Sequence, residues 1–163
     1  MQVIAGARFA NSVEYKTMDS ADNRGRVLMR LGAILFLCGL VIGLIAWQLA
    51  NPRMGLSSHL EGVMNGTFLL AVGLLWGRLK LGGAMRTALF WLAIYGTYSN
   101  VAATFLAAWW PAGEFMSIAA PTPRGTDIQE QIITALLNST AATIILASVL
   151  IIWGLRGRES TDA

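Results

Sequence analysis

Leu31 to Ala50 reads LGAILFLCGLVIGLIAWQLA, twenty residues without a charge. At 1.5 Å per residue such a helix covers roughly 30 Å, the hydrocarbon thickness of a bilayer. Asn51-Pro52 ends the run, because a residue before proline is pushed out of helical geometry. Three more apolar runs follow: from near Ser57 to Leu79, from Thr87 to Trp110, and from Ile128 to Leu155. Pro111 stops the third, and Asp127 reads as the N-cap of the fourth. The runs are continuous rather than alternating, which excludes the strands of a membrane barrel. Helices satisfy their backbone hydrogen bonds internally, as lipid demands. The expectation is all-α: an integral membrane bundle of four transmembrane helices over residues 27–156, with an N-terminal arm at 1–26 and a tail at 157–163.

Composition points the same way. The 163 residues are 55% hydrophobic and 13% charged, against about a quarter charged in soluble domains. That is too little charge to cover a water-soluble surface. Disordered and nucleic-acid-coating chains are excluded as well. The pI near 9.5 reflects basic residues that flank apolar runs, so no nucleic-acid partner is expected. Arg8, Lys16, Arg24, Arg26 and Arg30 precede the first run; Arg78, Lys80 and Arg86 separate the second and third; Arg156 and Arg158 follow the fourth. Only Arg53 and Arg124 occupy the other two connections, a split of ten to two. It alternates as four spans require and predicts both termini in the cytoplasm. Trp47, Trp76, Trp109, Trp110 and Trp153 fall near span ends, where an aromatic belt sits. The first 26 residues lack the apolar stretch of a signal peptide. Cys38 is alone, which precludes an intrachain disulfide.

Polar residues within a span are costly and mark function. The second run opens with SSHLEGVMNG, residues 57–66. His59 is the sole histidine, so a multi-ligand zinc site is excluded, whereas one axial ligand to haem iron is within its means. Gly62 and Gly66 follow on its side of the helix, where they admit another backbone or a flat macrocycle. Glu61 and Asn65, four apart, share another face. Candidate roles for Glu61 are orienting His59, exchanging a proton, or pairing with Arg53.

The third run carries YGTYSNVAAT, with Thr97, Asn100 and Thr104 on one face and Tyr98 and Ser99 beside it. Threonines in such helices commonly bond their own backbone. Asn100 has no such outlet, so it bonds across helices or lines a polar cavity. Gln131, Thr134 and Asn138 align on the fourth run and read as interhelical bonding; Gly39 and Gly43 form a GxxxG for close packing. No GxSxG, HExxH, P-loop or Rossmann glycine pattern is present, so hydrolase, kinase and dehydrogenase readings lack support. Spacing alone leaves open a proton-coupled exporter built on Glu61, a cytochrome pairing histidines from two chains, and a scaffold.

Asn51 to Trp76, NPRMGLSSHLEGVMNGTFLLAVGLLW, resembles the signature of the hydroxylaminobenzene mutases, small four-span bacterial membrane proteins. The His59…Asn65-Gly66 spacing and YSNVA at 98–102 resemble the related styrene oxide isomerases. The likeness covers all four spans in layout, is most specific over the quoted segment, and leaves the arm uncovered. It implies an isomerisation without net redox: hydroxylaminobenzene to 2-aminophenol in the mutases, an epoxide to an aldehyde in the isomerases. It further implies a homotrimer in a bacterial inner membrane, with haem b at the subunit interface, His59 as axial ligand and Asn65 at the substrate. The isomerases place a catalytic aspartate where this chain has Gly96 and a tyrosine where it has Thr104, which favours the mutase branch. For that reaction ferric haem is the expected Lewis acid on a small aromatic substrate. Asn65 and Asn100 are then expected to hydrogen-bond the NHOH group, and Glu61 to move a proton. Tyr98, Thr97 and Thr104 are expected to line the substrate site.

Overall fold

The computed structural model describes the backbone of residues 2–116, 118 and 124–156, and the side chains of 23–116, 118 and 124–156. Among the described residues every regular element is helical. Four long helices follow one another: α1 (Gln2–Ile45), α2 (Pro52–Leu75), α3 (Gly83–Trp109) and α4 (Asp127–Gly154). Short 3-10 turns at Ala46–Gln48 and Trp76–Arg78 extend α1 and α2. Among the described residues three stretches are long and apolar enough to cross a membrane: Asn23–Gln48, Pro52–Arg78 and Asp127–Gly154. The third helix matches them in length, but its Tyr-Gly-Thr-Tyr-Ser-Asn run at 95–100 leaves it short in hydropathy. Of the segment read from sequence as a separate arm, residues 2–26 belong to a helix that runs unbroken from Gln2 into the first apolar run. The expected tail, 157–163, lies outside the described residues.

The helix starts differ from the apolar runs, because capping residues lie outside them. The second helix begins at Pro52 rather than near Ser57. Asn51 caps it, its side chain accepting the Met54 N–H at 3.3 Å. Proline at the first helical position has no N–H to leave unsatisfied, so Asn51-Pro52 both ends one helix and begins the next. The third begins at Gly83 rather than Thr87. The fourth is capped by Thr126, not Asp127. The Thr126 hydroxyl accepts the Gln129 N–H, and the Gln129 side chain accepts the Thr126 N–H at 2.8 Å. This reciprocal pair makes Asp127 the first helical residue instead.

The helices run up, down, up and down. At one end Arg24 Nη1 donates to Thr87 Oγ1 at 2.9 Å, Arg86 Nη2 donates to the Leu79 carbonyl at 2.7 Å, and the Lys80 N–H donates to the Gly154 carbonyl at 2.8 Å. At the other end the Asn51 N–H donates to the Ala108 carbonyl at 2.9 Å. The first helix packs on the second, the second on the third, and the third on the fourth, whereas α1 and α4 hardly meet. The result is an open row, not a closed square. A trough runs between α2 and α4 with α3 as its floor.

Glycine makes the α1–α2 contact. Gly25, Gly32 and Gly39 recur every seven residues and lie against Gly73, Gly66 and Gly62. A Cβ on Gly32 would sit 2.7 Å from the Gly66 carbonyl oxygen, and one on Gly39 would sit 2.7 Å from the Val63 nitrogen. In lipid no hydrophobic drive joins helices, so close van der Waals contact between bare backbones does the joining. Gly62 and Gly66 therefore receive α1. Of the two occupants expected beside them, another backbone or a flat macrocycle, the backbone is the one seated there. Of the expected GxxxG pair, Gly39 joins this seam and Gly43 faces the His59 ring.

Gly62→Ala tests the seam. The added methyl meets the Gly39 backbone, which cannot rotate away as a side chain would. Overpacking of this kind costs about 1–3 kcal/mol. The unfolding midpoint in detergent should fall accordingly, and an unchanged midpoint would contradict the seam.

Candidate functional site

Residues two apart on a helix point about 200° apart, so Glu61 and His59 leave α2 on opposite sides. Each opens into its own cleft, and the two clefts share no lining residue.

The Glu61 cleft lies in the trough. The second helix supplies Ser57, Leu60, Glu61, Met64 and Asn65; the third supplies Asn100 and Thr104. The fourth supplies Leu137, Thr140, Ala141, Ile144 and Ile145, and the loop after α3 adds Phe115 and Met116. Its volume of about 660 Å³ falls in the ~300–1,000 Å³ range of small-molecule sites. Most of the wall is apolar, and the polar groups converge on one carboxylate. Glu61 Oε2 accepts from Asn65 Nδ2 at 2.9 Å and from Asn100 Nδ2 at 2.6 Å. A carboxylate only accepts, so both amides must turn their NH2 groups toward it and their oxygens away. Glu61 Oε1 and the two amide oxygens have no partner among the described residues. The only unpartnered buried side-chain atoms there are Trp76 Nε1 and Arg86 Nε, so these three oxygens stay open to the cleft. The site thus presents three open acceptor oxygens around one carboxylate.

The other expected residues divide. Thr104 lines the cleft, its hydroxyl donating to the Asn100 carbonyl at 3.0 Å. Thr97 does not line it: the side chain is fully buried, and its hydroxyl donates to the Ala93 carbonyl at 2.7 Å. Tyr98 also lies elsewhere, its hydroxyl donating to the Leu31 carbonyl of α1 at 2.9 Å. Arg53 does not pair with Glu61; its Nη1 donates to the Ile118 carbonyl at 3.0 Å. Glu61 does not orient His59 either. Because α2 starts at Pro52, Glu61 sits nine residues in, roughly 14 Å deep, and not at the span's edge. Gln131 and Thr134 line a separate surface cleft, and Asn138 is exposed, so none supplies the expected interhelical bond. The α3–α4 bonds are instead Ser99 to Thr140 at 2.7 Å and Tyr95 to Ser139 at 2.8 Å.

His59 faces α1. Its Nδ1 lies 2.8 Å from the Gly39 carbonyl oxygen, so Nδ1 carries the proton and Nε2 keeps a free lone pair. The ring fits because residue 43 is glycine, where a Cβ would fall 2.6 Å from Nδ1. Around it lie Leu40, Leu44, Ala46, Trp47, Pro52 and Leu56, with Leu44 and Trp47 both 80% exposed. Among the described residues no three His, Cys, Asp or Glu side chains gather into a metal site. One imidazole pinned through Nδ1 to a carbonyl, bordering an open apolar surface, fits a haem with a single protein ligand.

Both clefts fall within residues 24–156, the stretch matched by the styrene oxide isomerase family model. The chain belongs to the styrene oxide isomerase family. It is similar to hydroxylaminobenzene mutase HabB of Ectopseudomonas oleovorans, 50% identical over 142 residues, covering 85% of this chain and 87% of that protein. It is also similar to hydroxylaminobenzene mutase HabA of the same organism, 43% identical over 129 residues, covering 78% of this chain and 96% of that protein. No solved structure matches it. Gly96 is buried against α4, with Ile144 Cδ1 2.7 Å and Thr143 Oγ1 2.9 Å from where a Cβ would be. An acidic side chain there, as the styrene oxide isomerase resemblance implies, has no room unless Ile144 moves. Sequence reading missed Phe115 and Met116, which sit in a loop with no periodic pattern to place them.

Proposed function

We propose that this protein is a membrane-bound isomerase that converts hydroxylaminobenzene to 2-aminophenol by intramolecular hydroxyl migration. The observation that carries the reading is the convergence of Glu61, Asn65 and Asn100, with three open acceptor oxygens, in an apolar cleft. An NHOH group brings two donors, N–H and O–H, to meet those acceptors. The kinship with two hydroxylaminobenzene mutases supports the same substrate class.

Substrate and product have the same formula, so no oxidant or reductant is consumed. The N–O bond breaks, the hydroxyl oxygen bonds the ortho carbon, and the ortho proton passes to nitrogen. Asn65 and Asn100, held by Glu61, fix the rotation of the NHOH group so that its oxygen stays near the ortho carbon. Glu61 Oε1 accepts the ortho proton and returns it to nitrogen. The apolar wall limits the water that would otherwise attack the para carbon. Ferric haem b belongs to this reading, held by His59 Nε2, and when bound supplies a Lewis acid for the departing oxygen. His59 and Glu61 face opposite ways, so a group on His59 meets Asn65 and Asn100 only across a junction of two copies. That supports a homo-oligomer, a trimer by family resemblance, with haem at the subunit interface.

The same reading sets four spans, α3 included, in a bacterial inner membrane. Arg24, Arg78, Lys80, Arg86 and Arg156 gather at one end of the row, which supports cytoplasmic termini.

The test is hydroxylaminobenzene carrying ¹⁸O in its hydroxyl, given to haem-replete purified protein. The expected product is 2-aminophenol, free of 4-aminophenol and retaining the label. Solvent oxygen in the product, or no turnover, would overturn the proposal. Styrene oxide serves as the parallel substrate and is expected to be left unchanged.

A further inference from the structure

The loop after α3 is held over the outer mouth of the Glu61 cleft by a contact the reaction does not use. Ala112 is fully buried, and its N–H donates to the Ala107 carbonyl at 3.0 Å. Glu130, in the first turn of α4, is only 7% exposed. Its Oε1 accepts the Gly113 N–H at 3.2 Å, and its Oε2 accepts the Glu114 N–H at 2.9 Å. A buried carboxylate is costly unless its oxygens are satisfied, and here both are spent on one turn of loop. The next two residues, Phe115 and Met116, line the cleft that contains Glu61, Asn65 and Asn100. From the other side, Arg53 of α2 donates to the Ile118 carbonyl at 3.0 Å.

We infer that Phe115 and Met116 form the wall that selects substrates by the size of their aromatic ring, and that Glu130 is the residue that positions this wall. The substrate class, an arylamine derivative, rests on the proposed reaction. The selectivity itself is readable from binding alone. With the wall in place the cleft prefers a single ring to a fused pair, and with the wall removed or loosened that preference falls.

The experiment uses the full chain in lipid nanodiscs, with empty nanodiscs as blank. Equilibrium dialysis measures the dissociation constants of aniline and 1-naphthylamine, which lack the migrating hydroxyl and do not react. Phe115→Ala should shift the ratio of the two constants toward 1-naphthylamine by about tenfold, the usual scale for a change in pocket bulk. Phe115 is 48% exposed, so its truncation spares the fold. Glu130→Gln keeps one acceptor for two N–H donors and should shift the ratio the same way. In the double variant the second change should add nothing. An unchanged ratio in Phe115→Ala overturns the inference. So does equal weakening of both amines in Glu130→Gln, which is what mere loosening of the fold would give, and so does a wild type that binds neither amine. A wild type that binds with these variant shifts but does not turn over hydroxylaminobenzene sustains the wall and refutes the reaction.

Discussion

His59→Ala protein, purified beside the wild type, is expected to show no haem Soret band and to lose at least about a thousandfold in 2-aminophenol formation. His59 is the chain's only histidine. Its Nδ1 is engaged with the Gly39 carbonyl, so the substitution removes Nε2, the one imidazole nitrogen left to bind iron. The loss should be chemical rather than structural. The α1–α2 seam is made by glycine backbones above and below the ring, and Tyr98 ties α3 to α1 independently. Circular dichroism should therefore match the wild type. Added imidazole, entering the space the ring leaves, should restore the band. A Soret band retained in His59→Ala would remove His59 as the ligand. A wild type that stays colourless after haem is supplied would remove haem from the mechanism altogether.

Glu61→Gln should lower kcat by about 10²–10⁴, the span that general acid–base catalysis contributes, with KM changed far less. The glutamine oxygen can still accept from Asn65 and Asn100, so the two amides keep their posts and substrate binding is largely preserved. What is lost is the group that carries the proton from the ortho carbon to nitrogen. Haem content should not change, because His59 projects from the opposite side of α2. A kcat equal to the wild type would make Glu61 an anchor for the amides only. Haem lost together with activity would place Glu61 in the structure of the other cleft.

The four helices and half of the site were legible in the sequence. Uncharged runs give helices by length, and Glu61 with Asn65 at i, i+4 gives a shared face that the structure turns into a hydrogen bond. Asn100 demanded a partner by its chemistry and found one in Glu61. Periodicity fails where a third element decides. Thr97 and Thr104 share a face of α3, yet one end of that face is sealed and the other opens on the trough, so only Thr104 lines the cleft. The glycines were visible singly. Which of them meet depends on how α1 and α2 pair, and no local pattern encodes that. Helix starts slipped because Asn51 and Thr126, which set them, are polar and lie outside the runs. Glu130 carries no pattern that singles it out, and only the folded loop shows its two carboxylate oxygens accepting backbone N–H groups.

The open row of helices has a consequence for how the reaction is supplied. The second and fourth helices hardly meet, and the cleft wall includes Leu60, Met64 and Ile145, which are 50%, 65% and 63% exposed. In the proposed membrane assembly the mouth opens sideways, at the depth of the acyl chains and beside the junction with a second copy. A small uncharged aromatic hydroxylamine partitions into those chains before it reaches the site. The concentration that governs saturation is then its mole fraction in the bilayer, so the KM referred to bulk water follows the amount of lipid present.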